Sequence, residues 1–178
     1  MVPAPPPPAL PRLTLVLGGA RSGKSRHAEA LVTASAPPWI YVATAQAFDD
    51  EMTERIAQHK ARRADGWQTR ETTHDLAALV RAHDASRTPM LIDCLTLWLS
   101  NVMLADKDVP AACADLIEAL AAARGPIVAV SNEVGLGIVP DNALARAFRD
   151  AQGRLNQDVA TLADRVILMA AGLPLTLK

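Results

Sequence analysis

The segment from Leu13 to Ser25 constrains the fold more than any other. Leu13, Thr14, Leu15, Val16 and Leu17 are apolar or β-branched and read as a buried strand. Gly18, Gly19, Ala20, Arg21, Ser22, Gly23, Lys24 and Ser25 then spell G-x-x-x-x-G-K-S, and residues 26–32 read as a helix. A strand, a glycine-rich turn and a helix start in that order are what a P-loop requires. The glycines let the backbone curl until successive N–H groups point at phosphate oxygens, and the helix start adds positive potential. Lys24 is of a length to reach β- and γ-phosphates, and the Ser25 hydroxyl is a ligand for Mg²⁺.

The rest of the chain repeats the strand-then-helix pattern. Further core strands are expected at residues 39–43, 89–93, 127–130 and 165–169, a short strand at 67–72 and an edge strand at 175–178. Helices are expected at 49–60, 74–83, 95–104 and 111–124. A long one starts near Asp141 and Asn142, with Leu144, Phe148, Ala151, Leu155, Val159 and Leu162 as its apolar stripe. Residues 44–48 and 131–140 read as loops, 62–66 and 172–174 as turns. Continuous aliphatic strands alternating with helices predict an α/β fold: a single P-loop domain with a mostly parallel sheet and helices on both faces. Ligands of such sheets bind beyond the carboxyl ends of the strands, where Thr44, Asp93, Asn132 and Glu133 join the P-loop. Ser131, Asn132 and Glu133 follow a core strand and precede two glycines, so they are expected to line the cleft.

Composition sets limits. The 178 residues suit one domain, and a hydrophobic share of 50% with only 3% aromatics suits a core of Ala, Leu and Val. A net charge of −1 argues against nucleic acid and anionic membrane surfaces as partners. No apolar run approaches the length of about 18 residues that a membrane span needs. Cys94 and Cys113 form no C-x-x-C pair, which speaks against zinc and for two reduced thiols of a cytosolic enzyme. Six of the first twelve residues are proline, so residues 1–12 are expected to be a disordered leader and 13–178 the folded domain.

Two further positions carry chemistry. Asp93 follows Met90, Leu91 and Ile92 at a strand end, the Walker B pattern of an acid that binds Mg²⁺ directly or through water. His59 shares a helix face with Met52 and Ile56. That spacing by itself favours a core histidine. The cations that follow, Lys60, Arg62 and Arg63, favour an imidazole beside a triphosphate. His27, His74 and His83 read as capping or solvent-facing residues. Glu71 stands beside Thr69 and Thr72 with nothing local to give it a role.

Across residues 13–178 the chain resembles the bifunctional adenosylcobinamide kinase / adenosylcobinamide-phosphate guanylyltransferase family of cobalamin biosynthesis. The resemblance rests on residues 18–31, 41–44, 49–52 with Arg55, Ile56, His59 and Lys60, and Trp67 with Thr69 and Glu71. It continues through 131–140, 144–150, 153–157, Ala163 with Asp164, and the ending near 172–178. It implies a RecA-like homotrimer with two activities, in keeping with the cytoplasmic location that the cysteines suggest. One phosphorylates the aminopropanol hydroxyl of adenosylcobinamide with a nucleoside triphosphate such as ATP. The other passes GMP from GTP, through a guanylylated histidine, to adenosylcobinamide phosphate. The alternative is a guanylyltransferase that has lost the kinase step. By the resemblance His59 is the nucleophile. Residues 18–25, Ala43, Thr44, Ala45, Lys60, Ala61, Arg62, Arg63, Glu71 and Asp93 contact the nucleotide, and Ser25 and Asp93 hold Mg²⁺.

Overall fold

The structure is a computed structural model that describes residues 10–45, 65–83 and 87–178. In chain order the elements are β1 (Leu13–Gly18), α1 (Lys24–Thr33), β2 (Trp39–Ala43), β3 (Trp67–Glu71), α2 (Leu76–His83) and β4 (Met90–Asp93). They continue with α3 (Leu95–Leu104), α4 (Val109–Ala122), β5 (Ile127–Asn132), α5 (Ala143–Leu162), β6 (Arg165–Ala170) and β7 (Leu173–Thr176). The helix expected at 49–60 lies outside the described residues.

The seven strands form one sheet in the order β3-β2-β4-β5-β1-β6-β7. Every pairing is parallel except that of β6 with β7, so the expected mostly parallel α/β sheet is present. Strand alternation sends each strand's apolar residues to both faces. On one face Val16, Tyr41, Leu91, Val128, Val130 and Ile167 pack under Ala28 and Val32 of α1. On the other Leu15, Val42, Ile92 and Ala129 pack under Leu76 of α2, Trp98 of α3, Leu116 of α4 and Leu155 of α5. Such two-sided burial is why these strands read as unbroken aliphatic runs.

Several boundaries differ from the sequence expectation, each for a local reason. α4 starts at Val109, because the Asp108 side chain accepts a bond from Ala111 N at 2.9 Å and Pro110 fits a first helical turn. α2 starts two residues after His74, whose carbonyl accepts the indole N–H of Trp98 at 2.8 Å. β5 runs on through Ser131 and Asn132, which pair with Leu17 and Gly18 of β1. Leu144, expected on the buried stripe of α5, is 59% exposed. The turn expected at 172–174 is made instead by Ala171 and Gly172, and Pro174 lies within β7. Proline is tolerated there because β7 is an edge strand.

The fold begins ahead of β1. Leu10 packs against the α1-side core. Arg12 donates to the carbonyls of Leu120 and Leu162 at 3.0 and 3.2 Å, the last turns of α4 and α5. Both cysteines are free thiols. Burial pushes the Cys94 thiol up to about 12 and Cys113 up to about 11, so neither is ionised near neutral pH.

Candidate functional site

The loop between β1 and α1 owes its shape to residues with positive φ: Gly18 at 153°, Arg21 at 54° and Gly23 at 95°. A Cβ at Gly18 would lie 2.6 Å from both Met169 O and Ser22 Oγ, so that position admits only glycine. Gly23 caps α1 in a left-handed conformation and offers no side chain to the helix's first N–H groups. Those groups therefore face outward, the arrangement that binds anions at a helix start. Lys24 is buried, and its Nζ donates to Gly19 O at 2.5 Å, which holds the ammonium inside the curve of the loop. Ser25 follows in the first turn of α1, half-buried.

The sheet register brings the acidic residues to the same edge. Glu71 of β3, Ala43 of β2 and Asp93 of β4 stand in one row across three adjacent strands. Trp67 and Tyr41 belong to the α1-side core, and by alternation Glu71, Ala43 and Asp93 point to that side too. Tyr41 Oη donates to Asp93 Oδ2 at 2.8 Å and fixes the carboxylate's orientation. Glu71 is exposed at the end of the outermost strand. Sequence reading gave it no local role; only the register shows that it lines up with Asp93. Thr44 points the other way. Its buried hydroxyl donates to Cys94 O at 2.7 Å and accepts from Cys94 N at 2.8 Å, and its carbonyl accepts from Asn101 Nδ2 at 2.8 Å. The side chain of Thr44 thus ties the exits of β2 and β4 together. Ala45 follows it, half-buried.

The end of β5 divides the Ser131–Glu133 segment that sequence reading placed in the cleft. Ser131 is fully buried and faces α5. Its Oγ donates to Asn156 Oδ1 at 2.6 Å and accepts from Gln152 Nε2 at 2.9 Å. Asn132 alternates to the α1 side, opposite Gly18. Both its main-chain groups are held by side chains: its N–H by Thr96 Oγ1 at 2.7 Å, its carbonyl by Asn156 Nδ2 at 3.0 Å. Glu133 N donates to Gly18 O at 3.0 Å, joining this strand end to the P-loop. Asn132 thus stands where the sequence placed it, whereas Thr96, Gln152 and Asn156 were not singled out as site residues. The available signal was Gln152 and Asn156, two amides four residues apart and flanked by the apolar positions Ala151, Leu155 and Val159. Asn156→Leu would leave Ser131, Gln152 and Asn132 short of partners in a buried place. The expected cost is about 3 kcal/mol, read as a fall of roughly 6–12 °C in the melting temperature by calorimetry.

The other histidines stay outside this arrangement. His27 is half-buried with no partner at Nε2, and burial, then Arg165, lowers its pKa. His74 Nδ1 lies 2.9 Å from Thr73 Oγ1. His59, Lys60, Ala61, Arg62 and Arg63 lie outside the described residues. Among the described residues no three His, Cys, Asp or Glu side chains converge as a metal cluster. Among the described residues no helix is long and apolar enough to cross a membrane.

Solved structures with this fold include an ATPase. The flagellar accessory protein FlaH from Methanocaldococcus jannaschii superposes with a TM-score of 0.56 at 16% identity, covering 96% of this chain and 80% of that one. A prototypical ATPase from the type III secretion system of pathogenic bacteria gives a TM-score of 0.55 at 13% identity, covering 94% of this chain and 57% of that one. Sequence relatives are much nearer. The bifunctional adenosylcobalamin biosynthesis protein CobP of Pseudomonas aeruginosa is 47% identical over 166 residues, 92% of this chain and 96% of that protein. The bifunctional adenosylcobalamin biosynthesis protein CobU of Salmonella typhimurium is 44% identical over 181 residues, 93% of this chain and 99% of that protein. The family model described as cobinamide kinase / cobinamide phosphate guanyltransferase matches residues 14–177. The chain belongs to the cobinamide kinase / cobinamide phosphate guanyltransferase family.

Proposed function

We propose that the protein phosphorylates adenosylcobinamide with a nucleoside triphosphate and transfers GMP from GTP, through His59, to adenosylcobinamide phosphate. The observation that carries this reading is the convergence of the P-loop, Asp93 and Glu71 on one side of the sheet's carboxyl edge, in a chain of this family.

In the kinase step the substrate hydroxyl oxygen attacks the γ-phosphorus, the bond to the β,γ-bridging oxygen breaks, the nucleoside diphosphate leaves and the hydroxyl proton passes to water. The chain's contribution is positioning and charge: the main-chain N–H groups of residues 18–25 and the Lys24 ammonium face the phosphates. In the guanylyl step a neutral ring nitrogen of His59 attacks the α-phosphorus of GTP, and pyrophosphate leaves. A phosphate oxygen of adenosylcobinamide phosphate then attacks the same phosphorus, forms the diphosphate bond and frees the ring. Lys60, Arg62 and Arg63 offset the phosphate charge, and residues 43–45, Ala61 and Glu71 complete the nucleotide surface. Ser25 and Asp93 would hold Mg²⁺, which supplies further positive charge at the phosphates. Asn132, held by both main-chain groups opposite Gly18, adds an amide on the phosphate side.

We further take the working form to be a cytoplasmic homotrimer; the exposed Leu136, Ile138, Leu173 and Leu175 offer apolar surface for self-association.

The test uses GTP labelled at the α-phosphate. Denatured protein is expected to retain label in an acid-labile, base-stable adduct, and adenosylcobinamide with ATP is expected to yield the phosphate. No adduct overturns the covalent step. An adduct without the phosphorylated product leaves a guanylyltransferase alone.

A further inference from the structure

We propose that the β6–β7 hairpin positions the P-loop, with Gly172 as the positioning residue acting through the carbonyl of Ser22. The proposal rests on the reading that this loop holds a nucleoside triphosphate.

β7 adds little to the core. Leu173 and Leu175 within it are 71% and 56% exposed. Its turn, however, reaches the outer side of the P-loop. Ala171 and Gly172 have φ of 50° and 81°, a two-residue turn with both central residues left-handed, closed by the pairing of Ala170 with Leu173. At that tip Gly172 N donates to Ser22 O at 3.1 Å.

This one bond decides which way a peptide plane faces. The Ser22–Gly23 peptide is trans, so its C=O and the N–H of Gly23 point in opposite directions. Drawing the Ser22 carbonyl outward to the hairpin turns the Gly23 N–H toward the inner, concave side of the loop, where an anion is bound. The neighbouring contacts agree. The β6 residue Met169 has its carbonyl where a Cβ on Gly18 would fall, and a Cβ on Gly23 would lie 3.5 Å from Gly172 Cα. The two glycines that shape the loop, Gly18 and Gly23, are thus both backed by the hairpin. Its other end is braced as well. Leu177 N donates to Val166 O at 2.8 Å, Val166 N donates to Lys178 O at 3.1 Å, and Lys178 Nζ donates to the carbonyls of Ala160 and Thr161 at the end of α5. A strand with exposed side chains is held firmly at its base, and its tip meets the loop.

The substitution Gly172→Ala isolates the effect. No heavy atom lies within 4 Å of the added Cβ, so nothing clashes, and only the left-handed backbone is disfavoured. The control Gly66→Ala strains another positive-φ turn, just ahead of β3 at the amino end of the sheet, and there the added Cβ also presses on Pro37 and Trp39 at 3.0 Å, so it is the more disruptive change to the fold. Gly172→Asn restores a residue that adopts left-handed φ at little cost. Binding of a fluorescent GTP analogue is measured directly, with melting temperatures alongside. Gly172→Ala is expected to weaken binding about tenfold, Gly172→Asn to stay near wild type, and Gly66→Ala to lose stability without losing affinity. Affinity of Gly172→Ala within twofold of wild type overturns the proposal, as does an equal loss in Gly66→Ala. A wild-type protein that binds no analogue overturns the reading of the site and the proposal with it.

Discussion

Lys24→Ala is expected to cripple both transfers while the protein stays folded. Lys24 is buried, and its ammonium sits within hydrogen-bond reach of Gly19 O, so its charge acts at short range and with little screening. Removing one such preorganised, buried donor lowers turnover by roughly 10²–10³-fold. The cost in stability is small by comparison, because Gly19 O lies on an exposed turn where water can replace the ammonium. Steady-state rates of phosphate transfer and of GMP transfer, with a calorimetric melt on the same samples, check this. Near-normal turnover in a folded variant would remove the loop from the centre of both reactions. Lys24→Arg is not expected to rescue, since a planar guanidinium is wider than the ammonium that the loop encloses.

His59→Ala separates the two activities. Under the proposed route only guanylyl transfer passes through the imidazole, so the adduct should vanish and GMP transfer should fall by roughly 10⁴-fold or more. Phosphorylation of adenosylcobinamide needs the P-loop but no nucleophile from the protein, and is expected to remain within a few-fold of wild type. Labelling the variant with α-labelled GTP and assaying the kinase step on the same preparation reads both. Full labelling of His59→Ala would reassign the nucleophile. Equal loss of both activities would mean that the residue supports the site's structure rather than one of its reactions.

Much of the architecture was legible because its signals are local. β1, β2, β4, β5 and β6 are largely apolar runs buried on both faces, and the P-loop carries its own glycines. The strand order was not legible, because parallel pairing leaves no mark in the strands themselves. With the order goes the alignment of Glu71 with Asp93, which exists only once β2 stands between β3 and β4. Leu144 was misplaced because a periodic stripe does not say where the helix runs past the sheet it covers. Ser131 was misplaced because strand alternation, rather than distance from a glycine loop, decides which face a strand-end hydroxyl joins. Pro174 was read as a breaker because its edge location is a property of the sheet order.

The anchoring of Arg12 and Lys178 has a practical consequence for handling the protein. Arg12 O accepts from Ile127 N at the start of β5, and Lys178 N donates to Val166 O near the start of β6. Both residues therefore lie at the amino edge of the sheet, a strand's length of ~20 Å from the P-loop. A fluorophore, affinity tag or surface tether joined beyond either one would leave the nucleotide entrance clear.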